Sequence, residues 1–174
     1  MRTKAVFIIP TICALAIASL APASAVTTPV TVTLTGGALS ITVPTSAVNL
    51  GTRVNTVETG TISGSLGEVS VLDARSAVAG SGWVASVIST ALTPLSGPTI
   101  GAAAIGYTVG TISKVGTATY TANNPVALGG TVAAVTATGI TGDNSATWNP
   151  TINVTVAGGL AAGIYSGTIT HSVI

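Results

Sequence analysis

His171 is the only histidine of the chain, and Glu58, Glu68, Asp73 and Asp143 are its only carboxylates. These five side chains bound the acid–base chemistry available. A Ser-His-Asp relay would need Asp73 or Asp143 brought against His171, with an activated serine beside them. No Gly-x-Ser-x-Gly elbow occurs to present that serine. A glycosidase needs two carboxyl groups at a fixed separation, and the spacing of these four favours no pair. A histidine-based metal site needs further ligands that the chain does not supply. Calcium asks for clustered oxygen ligands, whereas Asp143-Asn144 reads as a turn. No catalytic site, metal or cofactor is therefore expected, and the chain reads as non-enzymatic.

The aromatic residues offer a different chemistry. Trp83 opens an alternating run, Trp-Val-Ala-Ser-Val-Ile, that places Ala85 and Val87 on its own face. Trp148 stands just before Asn149-Pro150, at the entry to the run Ile152 to Val156. Exposed indoles stack on sugar rings; buried ones fill cores. Both readings stay open here. Asp73 and Arg75 lie two apart, hence on one side of a strand, and form either an edge ion pair or an accessory ligand contact. His171 shares its face with Tyr165, Gly167, Ile169 and Val173, so that face is expected to point inward or lie half-buried.

These positions must be held by strands. Alternation of apolar residues with Thr and Ser recurs at Val30 to Thr35, Leu39 to Val43, Val69 to Leu72, Trp83 to Ser89, Tyr107 to Ile112, Thr117 to Thr121, Thr131 to Thr138, Ile152 to Val156 and Ile164 to Val173. Gly, Pro and Asn punctuate the runs, as at Gly36-Gly37, Pro44, Gly97-Pro98, Asn123-Asn124-Pro125, Gly142-Asp143-Asn144 and Gly158-Gly159. Only Gly101 to Ile105 suggests a helical turn. Gly-Thr-Ile-Ser occurs at Gly60 and again at Gly110, without a regular period. The pattern predicts an all-β chain: an antiparallel β-sandwich of Ig-like or Greek-key style, with a closed barrel as competitor.

The first 25 residues read as a secretory signal peptide. Arg2 and Lys4 precede the apolar stretch Ala5 to Leu20, and Ala23-Ser24-Ala25 sets cleavage before Val26. Residues 26–174 are then one domain, working outside the cytoplasm. They carry three basic and four acidic residues and no cysteine, since Cys13 lies in the leader. Without thiols there is no disulfide. Without a basic patch, neither nucleic acid nor anionic lipid is an expected partner. No apolar run after Val26 is long enough for a membrane helix. What remains is a neutral, hydroxyl-rich surface, suited to neutral polymers or to itself.

Four stretches resemble the WxL-domain family of Gram-positive cell-surface proteins. They are Leu39-Ser40-Ile41-Thr42-Val43-Pro44 with Val48-Asn49-Leu50-Gly51; Val69 to Arg75 with its Asp-x-Arg step; Gly82-Trp83-Val84-Ala85-Ser86-Val87; and Val154 to Gly158 followed by Ala162 to Val173. The two Trp-x-Leu positions read Trp83-Val84-Ala85 and His171-Ser172-Val173, so only Trp83 keeps its signature side chain. The resemblance implies non-covalent attachment to peptidoglycan, with Trp83, Ala85, His171 and Val173 at the contact and Trp148, Asp73 and Arg75 as accessories. Other surface proteins, or a second copy, are the remaining partners to expect. No sorting tail follows Ile174, so retention at the surface would have to come from the folded domain.

Overall fold

The computed structural model describes residues 28–174; the expected signal peptide and the cleavage point before Val26 lie outside them. Residues 35–174 form one compact unit. It contains eight strands and a single turn of 3-10 helix: β1 (Leu39–Thr42), β2 (Gly60–Ser65), β3 (Val69–Ser89), the turn Ala102–Ala104, β4 (Ile105–Thr108), β5 (Ile112–Ala122), β6 (Val132–Trp148), β7 (Thr151–Val156) and β8 (Ile169–Val173). All pairings are antiparallel. A five-stranded sheet runs β1-β3-β6-β5, with β8 also paired to β3; a three-stranded sheet runs β2-β7-β4.

The sheets pack face to face as a sandwich because alternation gives each one an apolar side. Val69, Val71, Trp83, Ala85 and Val87 of β3 and Val135, Ala137, Ala146 and Trp148 of β6 face Ile105, Tyr107, Ile152 and Val154 of the smaller sheet in one continuous core. The intervening Ser and Thr residues face outward. Few side chains are large, so Trp148, Tyr107 and Trp83 occupy much of the space between the sheets.

Two expected runs, Val69 to Leu72 and Trp83 to Ser89, are parts of the single 21-residue strand β3. Its ladder with β6 shifts register three times between Asp73 and Trp83, and Ser76 (φ 52°) and Gly80 (φ 90°) absorb the extra residues. Gly142-Asp143-Asn144 does not close a turn: it lies inside β6, where Gly142 takes a left-handed φ of 70° and the ladder bulges. β8 begins only at Ile169, and residues 109–111, expected inside the run Tyr107 to Ile112, separate β4 from β5. β2 falls on the first Gly-Thr-Ile-Ser stretch, which the alternation did not single out. Val30 to Thr35 forms no strand; Val30, Val32 and Leu34 are all more than four-fifths exposed.

Candidate functional site

Asp73, on the inward side of β3, is fully enclosed. A bare carboxylate there would be costly, and four donors from Arg75 and Asn144 answer it, the Arg75 backbone N–H reaching Oδ1 at 3.2 Å. The Nε of Arg75 donates to Oδ1 at 2.8 Å and a terminal guanidinium nitrogen donates to Oδ2 at 2.9 Å. Asn144 Nδ2 donates to the same Oδ2 at 3.3 Å. The Arg75 hydrogen bond holds the Asp73 carboxyl below the usual carboxylate range, against the opposing effect of burial. Arg75 reaches it from the surface, with 39% of its side chain exposed, and also donates to the carbonyl of Gly82 at 3.2 Å.

Asn144 joins this ion pair to two aromatic residues. Its Oδ1 accepts from Trp83 Nε1 at 3.1 Å and from the Tyr120 hydroxyl at 3.1 Å. The Trp83 and Tyr120 rings meet at a tilt, 5.7 Å between centroids. Burial, then the charge of Asp73, raises the Tyr120 pKa. The Lys114 ammonium lies over the Tyr120 ring, 5.9 Å from its centroid. The register makes this cluster: Asp73 of β3 stands opposite Asn144 of β6, and Trp83 of β3 and Tyr120 of β5 flank the same residue of β6, Ala137.

A second cluster bridges the two sheets. Trp148 Nε1 donates to the Tyr107 hydroxyl at 2.8 Å, and that hydroxyl lies 3.1 Å from His171 Nε2. The Tyr107 and His171 rings meet edge to face at 5.6 Å. With its oxygen accepting from Trp148, the Tyr107 hydroxyl has its proton free to donate to Nε2, an arrangement that selects the neutral Nδ1–H form of the imidazole. Burial drives the His171 pKa down to about 4 and raises that of Tyr107.

The structure thus sends the seven singled-out residues into two separate groups; six lie on the inner side, and Arg75 reaches Asp73 from the surface. Trp83 and Trp148 are each 2% exposed and Ala85 is fully buried; His171 and Val173 are half-buried. No indole face is open to a sugar ring. Trp83, Ala85 and Val173 sit together because Val173 pairs with Ala85. His171 and Asp73 belong to different hydrogen-bond clusters, and among the described residues Tyr107 is the only side chain hydrogen-bonded to His171. Among the described residues, no three His, Cys, Asp or Glu side chains gather to hold a metal ion.

Tyr107 and Tyr120 stand out in the sequence only as aromatic residues with a polar handle, and their link to Trp148, Trp83 and Asn144 was not foreseen. Asn144 is masked there as a turn residue, and a tyrosine in a Thr-rich run carries no sign of its partner across the sheet. The outer face of the larger sheet was equally silent until register aligned it. Across β1, β3, β6 and β5, one row reads Thr42, Ser70, Thr147 and Ser113, and the next reads Ser40, Leu72, Ser145 and Val115. Ser70 and Thr147 hydroxyls bond at 3.1 Å. Leu72 is 52% and Val115 71% exposed amid these hydroxyls. The rows contain no ionisable group. A cleft of about 940 Å³ opens between residues 44–55 and 160–169 over Ile62, Leu92, Ile100 and Val154, with Arg53 the only charged residue lining it.

No family model, curated protein or solved structure matches this chain.

Proposed function

We propose that this chain is an exported, non-enzymatic surface module that holds to the Gram-positive cell envelope by non-covalent contact with wall glycan. The outer face of the larger sheet carries this reading. Its two rows give six hydroxyls and two exposed aliphatic side chains at strand spacing, about 4.8 Å apart from strand to strand. A pyranose chain offers the same alternation of hydroxyls and apolar C–H faces. Leu72 and Val115 lie against the latter while Ser and Thr exchange hydrogen bonds with the former. The Trp-x-Leu-like positions serve this face indirectly, by packing behind it.

A contact without ions is not screened by salt. The folded chain lacking residues 1–25 is expected to sediment with purified Gram-positive walls, to the same extent at low and high ionic strength. A folded sample that stays in the supernatant sinks the reading; loss of binding at high salt replaces it with an electrostatic one.

A second reading, self-association, is favoured by a specific feature. Among the described residues only β6 pairs with β5, which leaves one side of an 11-residue strand open.

A further inference from the structure

We propose that the segment Val30–Thr35 of one copy adds as a sixth strand to the open edge of the larger sheet in a second copy, along Thr117–Ala122 of β5. This names the partner and the register of the self-association reading and rests on it. The segment is Val-Thr-Val-Thr-Leu-Thr. It has strict two-residue alternation, high β-propensity and no charge, yet it pairs with nothing among the described residues. Val30 and Val32 are each 83% exposed and Leu34 is 93% exposed. A row of three such side chains left in water lacks the partner its pattern calls for.

The edge of β5 matches it residue for residue. Thr117, Thr119 and Thr121 are exposed, and the last two pair across the outer face with Thr138 and Thr136. Ala118, Tyr120 and Ala122 point inward and are only half-buried, because no strand covers their flank. A strand laid beside them with its apolar residues inward sets Val30, Val32 and Leu34 against Ala118, Tyr120 and Ala122. Its threonines then extend the outer threonine rows. Both partners are six residues long. Lys114, the charge that guards this edge, lies beyond the paired stretch.

The acceptor belongs to another copy for reasons of reach. Gly36 and Gly37 pack on Ala74 and Arg75, at the β1 side of the sheet. A site outside β5 is four strand spacings away, about 19 Å. Six extended residues span about 20 Å, so crossing to the chain's own β5 leaves nothing to run alongside it. The stretch of β3 next to β1 is a poor template, since Ser76 and Gly80 break its ladder. Donor and acceptor differ, so repetition gives an open chain of molecules rather than a closed dimer.

Sedimentation velocity on residues 26–174 tests this. The unaltered chain is expected to grow with concentration. Leu34→Asp, at a site exposed in the single copy, and Ala118→Lys, a charge on the acceptor edge, are each expected to weaken growth by about tenfold or more. Each variant keeps the half that the other has lost, so an equimolar mixture is expected to give 1:1 dimers and no longer species. Circular dichroism of each variant reports that the sheet is intact. Growth unaffected by Leu34→Asp overturns strand addition and leaves self-association standing. A monomer at every concentration overturns both. Two monomeric variants that do not dimerise on mixing overturn the pairing of these two segments.

Discussion

His171 has the sharpest consequence at the scale of single residues. Its imidazole accepts from Tyr107 in the neutral form, and protonation would place two donors head to head in a half-buried space. The folded pKa is about 4 against an ordinary 6.5. The unfolded chain therefore binds a proton that the folded chain refuses between those values. The stabilisation is complete above pH 6.5 and is lost as pH falls toward 4, by up to about 3 kcal/mol. Gln at this position can offer a carbonyl oxygen near the place of Nε2 and does not titrate. His171→Gln is expected to remove most of the pH dependence between 6.5 and 4 in urea denaturation. An unchanged slope would mean that the loss arises elsewhere. Asp73 adds its own acid sensitivity at lower pH, because its lowered pKa makes stability fall as the carboxylate is protonated.

The inward placement of these residues was legible in part. The face shared by His171, Ile169 and Val173 was readable from alternation, and so was the same-side placement of Asp73 and Arg75. Whether Trp83 and Trp148 were exposed was not. Alternation assigns a side to each residue, but only the second sheet decides whether that side is covered. The hydrogen-bond partners were further out of view, since Trp83 and Asn144 are 61 residues apart and Trp148 and Tyr107 are 41 apart.

Among the elements, the paired bulges of β3, β5 and β6 matter most. Gly116 on β5 has φ 88°, and a Cβ there would meet the Asp143 carbonyl oxygen at 2.6 Å and Asn144 at 3.0 Å. Both the left-handed backbone and the close approach require glycine. Gly116→Ala is expected to cost about 1–3 kcal/mol and to displace Asn144 from its partners. Chemical denaturation measures the first effect, and a shift of the Trp83 indole N–H resonance reports the second. A neutral substitution would show that the bulge is pliant. Such bulges were hidden in the sequence, where Gly142-Asp143-Asn144 carries the same residue types as a turn. The short strands β1 and β7 were visible because each keeps one unbroken alternation, whereas β2, interrupted by glycine at Gly60 and Gly64, was not; β3 and β6 were seen only in pieces because their alternation slips at each bulge.

Over the whole molecule, the distribution of charge separates inside from outside. Asp73 is buried with Arg75 reaching it from the surface, Lys114 sits at an edge, and the two hydroxyl rows of the larger sheet carry no charge. The all-β class and the neutral surface followed from composition and alternation. The location of the contact face did not, because a row across four strands exists only once register is set. The proposed glycan contact on the outer rows differs from the expectation drawn from the Trp-x-Leu-like positions, whose side chains pack within the sandwich.

The most direct measurement compares an outward with an inward substitution in wall sedimentation. Leu72→Glu puts a charge in the centre of the hydroxyl rows at a residue already half exposed. Trp83→Phe keeps an aromatic ring in the core while removing the indole N–H and part of the ring volume. With both variants folded, Leu72→Glu is expected to remain in the supernatant and Trp83→Phe to sediment with the walls like the unaltered chain. The reverse pattern, binding lost with Trp83→Phe and kept with Leu72→Glu, would contradict the assignment of the contact to the outer face.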